Sequence, residues 1–159
     1  MSKNTKKVSI DWVVCAAGEG KRFKEVGLLP SKPSIVLHGI TMLERSIQCL
    51  DIIHGDRLLI ATKKNDINSS IQKKIHSLYP WLEIKWIEIE KETSGQLHTF
   101  SKTIPYLNNR NAVAIWNCDT VFKSSQFTQK IREDSVDAII PCGKLSGNSW
   151  SFVKTDKNN

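Results

Sequence analysis

The segment Cys15-Ala16-Ala17-Gly18-Glu19-Gly20-Lys21-Arg22-Phe23, with Lys32-Pro33 downstream of it, combines small residues, bare backbone amides and cations. That combination suits a polyphosphate. Gly18 and Gly20 can take positive φ and let backbone N–H groups approach an anion closely. Arg22 offers a planar fork of donors for bridging phosphate oxygens, and Lys32 a mobile point charge. Two better-known glycine patterns are excluded. A P-loop needs Gly where Cys15 stands and Ser or Thr where Arg22 stands, and a dinucleotide fingerprint needs a third glycine where Phe23 stands. What survives is G-x-G-x-R with a delayed Lys-Pro, which alone is equally a glycine turn beside two surface cations.

Other reactive side chains add little. His38, His54, His76 and His98 are scattered, without spacing for zinc or a catalytic triad. Glu19 reads as a solvated side chain, because phosphoryl oxygens are already ionised and need no general base. Cys15, Cys49, Cys118 and Cys142 form no C-x-x-C pair, and three of them sit in or beside apolar runs where cysteine acts as a small buried hydrophobe. They are expected to be reduced, without a structural metal.

The loop needs a frame, and the pattern supplies one. Ile10, Trp12, Val13 and Val14 read as the end of a buried strand, so the glycines fall at a strand's carboxyl end, where open α/β sheets bind ligands. Met42 to Ile53 carries a helical stripe at Leu43, Ile47 and Leu50. Arg57 to Thr62 predicts a second strand. Asn65 or Asp66 is the expected cap of a helix bearing Ile67, Ile71, Ile75 and Leu78. Leu82 to Ile89 reads as a third strand, Gly95 to Ile104 as a short helix ended before Pro105, and Ala112 to Trp116 as a fourth strand. Ser124 is the expected cap of a helix through Glu133, with further strands at Val136 to Pro141 and Trp150 to Val153. Strands alternating with helices predict a mostly parallel sheet with right-handed crossovers.

Composition sets outer bounds. The 159 residues are enough for one domain with a sizeable core and few for two. We expect residues 1–9 to be a basic flexible tail and 10–159 the folded domain. No apolar run approaches the roughly 20 residues that span a bilayer, and the basic start lacks a signal peptide's apolar stretch. A cytoplasmic protein without membrane contact is expected. The net charge of +7 is dispersed, apart from Lys3, Lys6, Lys7 and Lys73-Lys74, and no nucleic-acid signature accompanies it. Such dispersed charge reads first as a solvated surface, and a net pull toward anionic nucleotides and phosphosugars is its milder functional version.

Ala16 through Gly27, then Pro30-Ser31-Lys32-Pro33, then Gly39-Ile40-Thr41-Met42-Leu43-Glu44, resembles the opening of the nucleotidyltransferases that activate sugar phosphates. The likeness is greatest to the branch found with capsule and lipopolysaccharide biosynthesis. The chain departs from the pattern by placing Ser31 inside the Pro-Lys step and Thr41 where proline is usual. Glu92 to Thr99 is similar to the family's base-contacting segment, where Gly95 permits close approach and Gln96 offers a donor and an acceptor to a base edge. The plain alternative there is a polar helix start capped by Ser94. Asn117-Cys118-Asp119-Thr120 resembles the family's metal step, and Mg²⁺ takes one or two carboxylates plus substrate phosphates. Asn148 to Lys154 looks like the strand before the family's Glu-Lys substrate segment. That segment and a later acidic metal ligand would lie beyond Asn159, as if the chain were truncated.

The resemblance implies a Rossmann-like, three-layer α/β/α domain of the GT-A-like kind. It implies Arg22 and Lys32 as catalytic residues. Ala16, Ala17, Gly18, Glu19, Gly20, Lys21, Gly95, Gln96 and Asn117 would contact the nucleotide, with Asp119 as the Mg²⁺ ligand. The implied reaction joins an NTP and a sugar 1-phosphate into an NDP-sugar with release of pyrophosphate, and homo-oligomerisation is left open. A choline-phosphate cytidylyltransferase, a GT-A glycosyltransferase and a catalytically incomplete nucleotide-binding fragment are the alternatives.

Overall fold

The computed structural model describes residues 7–27, 30–64, 66–133, 136–144, 146–147 and 153–154. In chain order its elements are β1 (Ile10–Cys15), α1 (Lys21–Glu25), a 3₁₀ turn at Lys32–Ser34, β2 (Val36–Leu37), β3 (Ile40–Thr41) and α2 (Met42–Ile47). Then come β4 (Arg57–Lys63), α3 (Ser69–Leu78), β5 (Glu83–Ile89), α4 (Gln96–Ser101), a second 3₁₀ turn at Ile104–Tyr106, β6 (Ala112–Asn117) and α5 (Ser125–Arg132).

Four strands form one parallel sheet in the order β5-β4-β1-β6. A parallel sheet covered on both faces buries its central strands completely, which is why β1 is nearly continuous in apolar residues. Trp12 pairs in register with Leu58 on one side and Ala114 on the other. One face of the sheet packs Trp12, Val14, Leu58 and Ile60 against Leu43 and Ile47 of α2, Ile71 and Ile75 of α3, and Phe127 and Ile131 of α5. The other face buries Val13, Leu59, Ala61, Ile87 and Ile89 beneath Phe100 of α4 and Leu107. The result is the expected α/β/α layering.

Asp11 is the polar exception in β1, fully buried. Its carboxylate accepts from Arg57 Nη1 at 3.1 Å, the Asn108 amide at 2.7 Å and Asn111 Nδ2 at 2.7 Å. A buried carboxylate is tolerable only with such a complete set of donors.

Several local expectations are corrected. Asn68, rather than Asp66, caps α3, its side chain accepting from the Ile71 amide at 3.0 Å, while Asn65 lies outside the described residues. Helix α2 stops at Ile47, short of Ile53. Pro105 does not lie beyond a helix reaching Ile104. It sits early in its own 3₁₀ turn, where its missing N–H is no loss. Ser124 stands at the start of α5 without capping it, since its hydroxyl donates to the Cys49 carbonyl at 3.1 Å and accepts from the Asp51 amide at 2.7 Å.

Val136 to Pro141 forms no strand: Val136 and Ile140 are 41% and 67% exposed, and among the described residues the segment pairs with no neighbour. β-branched composition favours extended backbone only where another strand and a packed face receive it. The expected sixth strand at Trp150 to Val153 lies almost wholly outside the described residues.

The strand order has a direct consequence for function. From β1 the chain moves outward through β4 to β5, then crosses back to place β6 on β1's other side. The strand order thus reverses beside β1, and the loops leaving β1 and β6 open side by side at their carboxyl ends. Such a switch point is where open parallel sheets hold ligands.

Candidate active site

The glycine loop leaves β1 at this switch point. The Ala16 amide still donates to the Ala61 carbonyl at 2.8 Å, and Ala16 and Ala17 are buried. Their small side chains therefore serve packing under the loop. Gly20 has φ 63°, and a Cβ there would stand 3.3 Å from Lys32 Cβ. Glycine is needed at this position for conformation and for space. Gly18 differs: its φ is not in the left-handed region, and an added Cβ would meet nothing within 4 Å. It leaves open room instead of relieving strain.

Lys21 opens α1 and reaches back to Glu19 at 3.1 Å, with its own side chain 78% exposed. Arg22 has its backbone in α1, while its side chain lies outside the described residues.

Lys32 opens the first 3₁₀ turn. Two hydroxyls tie that turn to the loop after β4: Ser31 Oγ donates to the Asp66 carbonyl at 2.8 Å, and Ser34 Oγ donates to the same oxygen. Ser31, the residue that splits the Pro-Lys step, thus has a local structural use. From this turn the Lys32 ammonium makes an ion pair with the carboxylate of Asp119, which follows β6. Both side chains remain partly exposed.

Between the glycine loop and the loop after β4 lies a cleft of about 500 Å³. Gly18, Glu19 and Gly20 form one wall, with Lys63, Asp66 and Asn68 opposite and Lys32 between them. Sequence reading missed Lys63, Asp66 and Asn68 as site residues. The available signal was topological: β4 neighbours β1 in parallel, so its carboxyl end opens on the same side.

Gly95, Gln96, Asn117 and Asp119 are not among the residues lining that cleft. The start of α4 approaches it through Cys15, whose Sγ donates to the Gln96 carbonyl at 3.8 Å. Gly95 occupies the N-cap position of α4, and Ser94 does not cap it. The Ser94 amide instead donates to His98 Nδ1 at 3.2 Å, which gives His98 a local structural role. Asn117 ends β6 in register with Cys15, and its carbonyl accepts from Ser46 Oγ at 2.6 Å. Burial pushes the Cys15 thiol up to about 11 and the Cys118 thiol up to about 12, so both stay protonated and unreactive near neutrality.

Lys32 lines the cleft with the glycine loop and pairs with Asp119, so cations, backbone amides and a carboxylate gather at a parallel-sheet switch point. The sequence pattern of the MobA-like NTP transferase domain matches residues 12–147. The chain belongs to this family. The match runs from within β1 to beyond α5 and so takes in the glycine loop, Lys32 and Asp119.

Solved structures agree on the fold of this NTP transferase domain. A nucleoside-diphosphate-sugar pyrophosphorylase from Vibrio cholerae RC9 superposes with TM-score 0.57 at 20% identity, over 72% of this chain and 52% of its own. The inositol-1-phosphate CTP transferase from T. maritima gives 0.56 at 17% identity, over 74% and 46%. A Bacillus anthracis protein assigned as a glucose-1-phosphate thymidylyltransferase gives 0.61 at 13%, over 80% and 52%. The chain spans about half the length of these proteins. No curated protein sequence matches it significantly.

Proposed function

We propose that this NTP transferase domain performs nucleotidyl transfer, joining an NTP and a sugar 1-phosphate into an NDP-sugar with release of pyrophosphate. The observation that carries the reading is the Lys32–Asp119 ion pair beside the glycine loop. A phosphate oxygen of the acceptor attacks the α-phosphorus, and the bond to the departing pyrophosphate breaks in line with it. Such a step needs positioning and charge neutralisation more than covalent help.

In this reading the amides of Gly18 to Lys21, with Arg22, hold the pyrophosphate. Lys32 bridges the α-phosphate and the incoming phosphate. Gly95, Gln96 and Asn117 contact the nucleoside outside the cleft, while Lys63, Asp66 and Asn68 line it together with the glycine loop. Asp119 would hold Mg²⁺, whose charge would offset that of the phosphates. The fit rests on its carboxylate being partly exposed and paired with Lys32, which itself lines the cleft. Mg²⁺ takes one or two carboxylates and completes its shell with phosphates and water.

Support for the acceptor class comes from the neighbours' names, which describe a nucleoside-diphosphate-sugar pyrophosphorylase and an inositol-1-phosphate CTP transferase. Both names imply a nucleotide joined to a phosphorylated polyol or sugar. We place the product in surface-polysaccharide synthesis, within the cytoplasm. No helix among the described residues is long and apolar enough to cross a membrane.

The test is pyrophosphate release by the chain given each NTP, Mg²⁺ and a panel of sugar 1-phosphates, inositol 1-phosphate and choline phosphate. Release that vanishes in Arg22→Ala and Asp119→Ala supports the proposal. Transfer from an NDP-sugar without pyrophosphate would identify a glycosyltransferase instead, and nucleotide binding with no turnover on any acceptor would mark a binding domain.

A further inference from the structure

Asp119 lies at the tip of a tight turn, the Thr120 amide donating to the Asn117 carbonyl at 3.4 Å. Both ends of that turn are fastened to the protein interior. Ser46, fully buried in the last turn of α2, donates its hydroxyl to the Asn117 carbonyl at 2.6 Å. The Trp116 indole N–H donates to Ser46 Oγ at 2.9 Å and to the Thr120 carbonyl at 3.3 Å. One hydroxyl and one indole therefore hold the carbonyls on either side of Asp119. The indole is itself wedged, with Phe122 at 4.6 Å and Phe127 at 6.1 Å between ring centroids and Trp12 edge-on at 6.2 Å.

Helix α2 is equally fixed. Its start carries a complete capping box between Thr41 and Glu44, and Lys74 of α3 reaches Glu44 at 2.9 Å. Beyond the turn, Ser124 bonds to the Cys49 carbonyl and the Asp51 amide just after α2. The loop bearing Asp119 is thus held to α2 and its exit at both ends.

We propose that Ser46 and Trp116 are positioning residues that set the Asp119 carboxylate where a divalent cation and Lys32 can each reach it. The inference rests on the proposed role of Asp119. Partners bonded directly to a metal ligand are commonly worth about ten- to a hundredfold in metal affinity. Ser46 and Trp116 act one step further out, on the backbone either side of Asp119, so the lower end of that range is expected. The backbone path explains the coupling. Freeing either carbonyl lets the turn relax, and the carboxylate then no longer holds the one position in which it meets the cation.

The experiment is titration of Mn²⁺ alone onto the full chain, followed by electron paramagnetic resonance, in wild type, Ser46→Ala, Trp116→Phe, Asp119→Asn and Ser46→Ala/Asp119→Asn. Trp116→Phe keeps an aromatic ring in the stack while removing the N–H together with part of the indole, so it carries the test, with melting temperature as its packing control, if Ser46→Ala fails to fold. We expect Ser46→Ala and Trp116→Phe each to weaken Mn²⁺ binding about tenfold. In the Asp119→Asn background Ser46→Ala should add no further loss. A lowered melting temperature with unchanged Mn²⁺ affinity would mean the two residues are purely structural, overturning the proposal while leaving the role of Asp119 intact. Undiminished Mn²⁺ binding in Asp119→Asn would overturn both.

Discussion

The Lys32 ammonium rests on the Asp119 carboxylate, although one residue lies in the chain after β1 and the other directly after β6. Each ion is the other's counterion. For Lys32 to reach a phosphate and Asp119 a divalent cation, the pair must separate, and substrate and metal then supply the charges each loses. The contact is a resting arrangement of two groups that the proposed reaction uses separately.

Replacing Lys32 by Ala should lower kcat for pyrophosphate release about 100- to 1,000-fold, the usual effect of deleting one charge-stabilising donor. Lys32→Arg should recover only part of this, since a planar fork does not reproduce a point charge. Single-turnover measurements at saturating NTP check both.

Gly20→Ala forces a Cβ into left-handed backbone and against Lys32 Cβ. We expect a stability loss of about 1–2 kcal/mol by urea denaturation. A further fall in kcat/KM should follow because Lys32 must shift. Gly18→Ala, with open space around it, should leave stability nearly unchanged and act on nucleotide binding alone.

Asp56 and Arg132 form a buried ion pair at 2.6 Å, and Asp56 also accepts from the Ile10 amide at 2.9 Å and Trp12 Nε1 at 3.1 Å. Removing one partner leaves a buried charge, so Arg132→Met should cost about 3–5 kcal/mol. Burial alone would raise the Asp56 carboxyl, but hydrogen bonds from Arg132, Ile10, Ile53 and Trp12 outweigh it and lower it below the usual range. Burial likewise opposes, and bonds from Thr41 and Lys74 outweigh, the shift at Glu44, which is also lowered. Both groups bind protons more readily when unfolded. Their stabilisation is therefore complete above the unfolded carboxylate values of about 4 and is lost as pH falls through the lower folded values. Melting temperature measured from pH 7 to pH 2 should show that decline, reduced in Asp56→Asn/Arg132→Met.

Thr41 stands where proline is usual in the sequences this chain resembles, and its side chain and backbone both take part in the capping box. Its hydroxyl accepts from the Glu44 amide at 3.1 Å, and its amide donates to Glu44 Oε2 at 2.9 Å. Thr41→Ala should cost about 1 kcal/mol. Thr41→Pro should cost more, because it removes the amide donor as well as the hydroxyl. Urea midpoints distinguish the two.

Much of the fold was legible along the chain. Ile10 to Val14, Leu58 to Ala61 and Ala112 to Trp116 read as strands because burial on both faces demands unbroken apolar runs, and Ile71 and Ile75 marked α3 by helical spacing. The failures have physical causes. Val136 to Pro141 has strand composition, yet a strand requires a partner that local sequence does not encode. Ser124 looked like a cap, but a hydroxyl takes its best available partners, here two groups after α2.

The same division holds at the candidate site. Residue types and spacing singled out the glycine loop and the two cations beyond it, because phosphate chemistry needs amides and charge in a short span. Asp119, in contrast, was singled out only with the help of the family resemblance. Only the tertiary structure decided that Lys32 and Asp119 would meet, that Lys63, Asp66 and Asn68 would face the glycines, and that Ser46 and Trp116 would fasten the Asp119 turn. Those contacts join residues far apart in the chain. Their proximity follows from the β5-β4-β1-β6 order, and strand order is set by packing and crossover handedness rather than by local sequence pattern.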